Sequence, residues 1–253
     1  IIDGACSGAA ISAMWNVRDE WAANLCAIEA DFTALGGLII GSFKAPYLLH
    51  DRDGQATPAY PADNDEIWIL DPETGHIEVG ETEVSFWCAL PRKGDDCLPG
   101  NPDGKAFCPP YPTILYAHGY GGSRAEVSVS HMGRHAAMGH ALCALDGPGH
   151  GGTRLLVDDN AATELVAGRV FFGFYGMDSL IEIIAKGRDR DLDNDGLPDS
   201  GADMWTADLF HTRDMVRQAV LESMQFVRIL RDMGRDTGNG ILGDLDGDGL
   251  NDI

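Results

Sequence analysis

The chain has 253 residues, 44% of them hydrophobic, with 40 acidic against 18 basic side chains and a formal net charge of −22. That length and apolar content suit one large or two small domains with a real core and argue against a disordered polypeptide. So acidic a surface is repelled by phosphate backbones and anionic lipid, which argues against nucleic acid or an anionic membrane as a partner. Of the acids, 29 are Asp and 11 Glu, a bias that solubility alone does not require.

Taken in order, Ile11 to Phe32 has the spacing of one helix, with Met14, Trp15, Trp21, Leu25 and Ile28 on one face. Short β-type runs follow at Leu38 to Phe43, Glu66 to Leu70 and Val84 to Leu90, separated by turn formers such as Asp71-Pro72-Glu73-Thr74-Gly75. Residues 1–65 therefore read as an N-terminal helix and β extension, and residues 66–253 as the main domain. From Thr113 the texture alternates. An apolar strand, Thr113 to Ala117, ends in His118-Gly119-Tyr120-Gly121-Gly122, and Arg124 to Met138 is helix-compatible. A second apolar strand, Ala141 to Leu145, ends in Asp146-Gly147-Pro148-Gly149-His150-Gly151. Strand, glycine-rich loop, helix and strand predict an α/β fold with a mostly parallel sheet, whose ligand sites lie at the carboxyl ends of the strands.

Ala161 to Lys186 is apolar and partly aromatic, and its cluster Phe171, Phe172, Phe174 and Tyr175 reads equally as part of a lid over a pocket, spanning 155–187, or as core. Asp214 to Met233 is the clearest helix, with Val216, Val220, Val227 and Leu230 expected to form its buried face and Arg217, Arg228 and Arg231 to lie elsewhere. No uncharged stretch reaches the ~18–20 residues that span a bilayer, so no transmembrane segment is expected.

Six cysteines occur without any zinc-binding spacing. Cys97 and Cys108 bracket a turn-rich loop and are the first expected disulfide, with Cys6 and Cys26 next, while Cys143 inside its apolar run reads as a buried free thiol. These features point to an oxidising compartment: secreted or extracellular, or the bacterial periplasm or cell surface. The chain starts at Ile1 with no basic-then-apolar leader, so any secretion signal is expected to have been removed or to precede it.

Two loops account for part of the aspartate bias. Asp191, Asp193, Asp195, Leu197 and Asp199 in one, and Asp244, Asp246, Asp248, Leu250 and Asp252 in the other, follow a common D-x-D-x-D-G-L-x-D pattern. Carboxylates at positions 1, 3, 5 and 9, a glycine at 6 and a carbonyl at 7 suit Ca²⁺, which takes six to eight oxygen ligands. Position 12 of the first loop is Ala202 rather than Glu, and the adjacent Asp203 is the expected closing ligand. The loops, spanning 189–203 and 244–253, resemble the aspartate repeats of thrombospondin type 3 and dockerin modules more than EF-hands. The second would need residues past Ile253 to complete a twelve-residue site, which suggests a fragment of a longer protein.

The run Tyr111 to Ser123 resembles the third strand and His-Gly oxyanion loop of α/β-hydrolases. Asp146-Gly147-Pro148-Gly149-His150-Gly151 is similar to that family's turn after the fourth strand, and Val84 to Pro91 corresponds to an earlier antiparallel strand. The resemblance implies that the Tyr120 N–H stabilises an oxyanion while His118 and Gly119 shape the turn. Fixed backbone donors of this kind are worth ~3 kcal/mol each in acyl transfer. No G-x-S-x-G elbow follows these loops; Gly4-Ala5-Cys6-Ser7-Gly8 fits a cysteine version but precedes them. In the family's chain order the nucleophile, acid and histidine come after the helix at Asp214 to Met233, hence beyond Ile253. His131 and His135, at helical spacing without the Glu of H-E-x-x-H, read as helix surface or pocket lining, His150 as a structural hydrogen-bonder and Ser123 as a helix cap. The resulting expectation is the N-terminal part of a secreted, calcium-binding serine esterase or lipase-like enzyme. It acts on a small-molecule ester or lipid, is completed by the rest of its polypeptide or a cleaved partner chain, and is inactive alone. A non-catalytic calcium-stabilised surface or adhesion protein and a peptidase on the same scaffold are the alternatives.

Overall fold

The computed structural model describes residues 34–50, 66–94, 107–124, 127, 131–151, 187–189, 199–238, 243–244 and 251. Six strands and two helices lie in this part of the chain: β1 (Leu35–Tyr47), β2 (Leu49–His50), β3 (Ile67–Trp68), β4 (Gly80–Pro91), β5 (Thr113–Tyr116), α1 (Met132–Ala137), β6 (Ala141–Leu145) and α2 (Leu209–Asp232). The main sheet has the order β1-β4-β6-β5, and β2 pairs with β3 in a small second sheet. The architecture is α/β with a mixed sheet. Contrary to the mostly parallel expectation, only β5 and β6 run parallel among the described strands, while β1–β4 and β4–β6 are antiparallel.

Strand periodicity builds a core on each face. Val84, Phe86 and Cys88 of β4 and Cys143 and Leu145 of β6 point to one side, where Phe226 of α2 stacks on Phe43 at 5.2 Å and meets Phe86 at 4.9 Å. Ala89, Leu142 and Ala144 point to the other side and pack on Met132 of α1. The strand at Ala141 to Leu145 coincides with its expected span because both of its faces are covered; all five residues are buried.

Two further expectations are overturned. Cys143 is not a free thiol: it is directly opposite Cys88 across the β4–β6 ladder and bonded to it. Cys108 is disulfide-bonded too; Cys97, its expected partner, and the Cys6–Cys26 pair lie outside the described residues. The second correction concerns α2, which starts earlier than expected, capped by the Asp208 side chain accepting from the N–H groups of Phe210 and His211. Val216 and Val220 are exposed, and the buried face includes His211, Asp214, Gln218 and Glu222 beside Met215 and Phe226. Those polar groups are satisfied from distant elements. Asp214 accepts from Trp68 N–H and from Arg213 and Arg217, Gln218 bridges the Pro46 carbonyl and the Leu48 N–H, and Glu222 takes both terminal nitrogens of Arg188. The expected N-terminal helix at Ile11 to Phe32 and the lid segment 155–187, except Gly187, lie outside the described residues, as does much of the expected helix at Arg124 to Met138.

A candidate active site at the ends of the parallel strands

β5 and β6 run parallel, so their following loops emerge side by side at one edge of the sheet. His118 joins them. Its Nε2 accepts the Gly147 N–H at 3.0 Å, which leaves Nδ1 to carry the proton donated to the Gly119 carbonyl at 2.9 Å. The ring is thus neutral with both nitrogens engaged, so His118 positions the loops rather than relaying protons. The Gly119 carbonyl accepts from the Gly122 N–H at 3.0 Å, closing a turn whose third residue, Gly121, has φ 72°. A left-handed third position is the requirement of a type II turn. Tyr120 occupies the second position, and its N–H donates to no acceptor among the described residues.

Beneath the second loop lies a buried ion pair. Asp146 accepts the Arg124 N–H at 2.6 Å and pairs with the Arg124 guanidinium, and both side chains are almost wholly shielded from solvent. Burial, partly offset by Asp189, holds that guanidinium well below its ordinary value, at about 10. His150 is buried, donating from Nδ1 to the Pro148 carbonyl, in line with its structural reading. Ser123 is buried beside this pair.

The segment 199–203, which leaves the first aspartate loop, clips both glycine-rich loops together. Ser200 Oγ donates to the Gly122 carbonyl at 3.0 Å and accepts from the Gly151 N–H at 3.2 Å, and Gly201 N–H donates to the Gly149 carbonyl at 2.8 Å. Gly201 has φ 82°, and a Cβ there would come within 2.7 Å of the Gly121 nitrogen and 2.9 Å of His150 Nε2. Asp203 is held in turn by His211, whose two ring nitrogens lie 2.8 Å from the carbonyls of Asp203 and Glu66 and whose Nε2 is 3.3 Å from Asp203 Oδ1. Carbonyls only accept, so both nitrogens donate and His211 is an imidazolium. Burial opposes that charge, but the Asp203 side chain and carbonyl and the Glu66 carbonyl outweigh it and raise His211 to about 9.

Between the loops and α2 opens a cavity of about 290 Å³, floored by Leu115, Leu145 and Ala219 and rimmed by Tyr120 and Trp205. Its lining is mostly apolar, with the exposed rings of Tyr120 and Trp205 6.4 Å apart at the mouth. Of the residues expected to act together, His118, Gly119 and Tyr120 do share this cavity. Asp199 is half-buried beside Ser200, Asp203 is buried against His211, and Asp244 is half-buried after α2. Asp191, Asp193, Asp195, Leu197, Asp246, Asp248, Leu250 and Asp252 lie outside the described residues. Ser200 and Trp205 were not anticipated; the only sequence signal for Ser200 is its place at the exit of an aspartate loop. The chain matches no family model, and no curated protein or solved structure matches it significantly.

Proposed function

We propose that this cavity binds a carboxylic ester and that the Tyr120 N–H holds the oxyanion formed during its hydrolysis, in an enzyme of the α/β-hydrolase type. The observation that carries the reading is an N–H without an acceptor among the described residues, in a turn braced from two sides, at the apolar mouth of a cavity where two parallel strands end. A donor fixed before the reaction stabilises developing charge without reorganisation. His118, Gly119 and Ser200 position that donor. In this reading the serine nucleophile, its acid and its histidine follow α2 in the polypeptide, as in the family's chain order.

Calcium at the two aspartate loops belongs to the same proposal. Asp189, at the start of the first loop, has its carboxyl raised by burial, opposed by a backbone hydrogen bond, His150 and Arg124 and reinforced by the Asp199 charge. Two carboxylates that disfavour each other's charge suit a cation nearby. Ca²⁺ there would fix Asp199 and, one residue on, the Ser200 clip on the oxyanion loop. The Cys88–Cys143 bond supports a secreted or periplasmic setting.

The test uses the whole polypeptide made by its source, in saturating Ca²⁺, with a fluorophosphonate probe and a p-nitrophenyl ester. Covalent labelling and turnover are expected. Tyr120→Pro removes the N–H while suiting the second position of a type II turn, and it should lower kcat by about 10²–10³. Absence of labelling and turnover would favour a non-catalytic surface protein, and wild-type kcat in Tyr120→Pro would remove the oxyanion role.

A further inference from the structure

The cavity between the loops and α2 differs in chemistry from floor to rim. Its floor of Leu115, Leu145 and Ala219 is aliphatic, and Ser223 adds little polarity because its hydroxyl donates to the Ala219 carbonyl at 2.9 Å. Its rim continues inward as a chain of rings. Trp205 meets Tyr120 at 6.4 Å, Tyr120 meets His150 edge to face at 6.2 Å, and His150 meets His118 at 4.9 Å. Trp205 is presented rather than packed. The backbone on either side of it is held, by the Met204 N–H on the Gly201 carbonyl at 3.0 Å and the Thr206 N–H on Thr212 Oγ1 at 3.2 Å, yet the residue is 58% exposed. Large aromatic surface left in water at a cavity mouth is surface that a ligand's ring can bury. None of the described residues of the lining is Asp, Glu, Lys or Arg, so a charged group entering it would lose water without gaining a charged partner.

Resting on the reading of this cavity as the ester site, we propose that its substrate is an uncharged ester whose acyl part carries a single aromatic ring, selected by Tyr120 and Trp205. An apolar cavity of about 150 Å³ already admits benzene. At about 290 Å³ this one holds a benzoyl-sized group with its carbonyl, whereas a long fatty acyl chain overfills it. Aromatic pairs prefer offset or edge-to-face contact with ring centres ~4.5–7 Å apart. The Tyr120 and Trp205 rings are tilted at 51° to each other, so a third ring beside them can meet both in that way. Tyr120 then serves twice, with its N–H toward the carbonyl oxygen and its ring toward the acyl ring, because the carbonyl carbon is one bond from each. Trp205 is a specificity-determining residue, carried by the same segment whose Ser200 braces the loops.

Ligand-detected NMR on the whole polypeptide in saturating Ca²⁺ tests this selection without requiring turnover. The probes are acetophenone and cyclohexyl methyl ketone, two neutral, unhydrolysable ketones of the same skeleton. Buried apolar area alone gives the planar ring no advantage, whereas ring recognition makes acetophenone bind at least about fivefold tighter. The double variant Tyr120→Leu, Trp205→Leu should bring the two ketones within about twofold of each other, and Trp205→Phe should keep the preference. Both side chains are more than half exposed, and an unchanged Tm checks that the variants are folded. No binding of acetophenone, equal or tighter binding of the cyclohexyl ketone, or a preference that survives the double variant would overturn the proposal. So would displacement of acetophenone by an equal concentration of tetramethylammonium, which would make the rings a cation cage. The ester reading fails separately: ring preference without fluorophosphonate labelling or ester turnover keeps the aromatic ligand and removes the hydrolysis. Labelling and turnover without ring preference keep the hydrolysis and remove the aromatic substrate.

Discussion

The loop that follows β6 is buried, with Asp146 and His150 shielded from solvent, whereas the loop that follows β5 has similar glycine content and leaves the Tyr120 side chain 64% exposed. In the first case glycine lets backbone pack on backbone and on a buried ion pair; in the second it lets a turn close on itself and present an N–H. The same composition thus serves structure in one loop and presentation in the other. What separates them is where the neighbouring hydrogen bonds come from, and those arrive from Arg124, Ser200 and His118.

The sharpest way to break the comparison is at Asp146. Asp146→Ala leaves the buried Arg124 guanidinium without its carboxylate, and removing one partner of a buried pair typically costs about 3–5 kcal/mol. Urea unfolding should read that loss; one below about 1 kcal/mol would mean the β6 loop is no better anchored than its neighbour. Next comes His211, which holds the segment that clips both loops. Its folded value of about 9 lies above the ordinary 6.5. Its stabilisation is therefore complete below pH 6.5 and lost as pH rises through 9, by at most about 3 kcal/mol. Comparing the urea midpoint at pH 6 and pH 10 in the wild type and His211→Gln isolates it, since the variant should lack this part of the pH dependence.

The sequence made these loops visible because apolar runs bounded by glycines carry their own signal. The strand at Ala141 to Leu145 is legible for the same reason, and β1 extends past its expected limits because it pairs with β4 from Leu35↔Pro91 to Tyr47↔Gly80, a register no local pattern reveals. Val216 and Val220 of α2 are exposed against expectation because the buried side chains of the helix find partners no local spacing reveals: Asp214, Gln218 and Glu222 meet Trp68, Pro46 and Arg188, 34 to 172 residues away, and His211 meets Glu66 and Asp203, 145 and 8 residues away. Spacing reports period, not the origin of a hydrogen bond. Cys143 failed likewise, since its bond depends on the β4–β6 register. In the site, His118 and Tyr120 are legible through motif resemblance, while Ser200 and Trp205 take their places only from the turn at 199–204 that brings them against the loops.

Ser200→Ala removes two hydrogen bonds, to the Gly122 carbonyl and from the Gly151 N–H, and should cost about 1–2 kcal/mol in urea unfolding. Because that hydroxyl touches both loops, its loss also tests whether the β5 loop depends on the brace: Tyr120→Pro and Ser200→Ala should then affect ester turnover in the same direction.

The smallest effect is expected at the Tyr120 side chain. It is mostly solvent-exposed, and its ring meets His150 and Trp205 only at 6.2 and 6.4 Å between centres. Tyr120→Ala should therefore change stability by less than about 1 kcal/mol. It keeps the backbone N–H, so the oxyanion reading predicts that kcat falls far less than in Tyr120→Pro, with any loss appearing mainly in KM through the altered cavity mouth. A stability loss as large as that of Ser200→Ala would place Tyr120 in the packing of the site, and equal kcat losses in the two Tyr120 variants would shift the role from the backbone to the phenol ring.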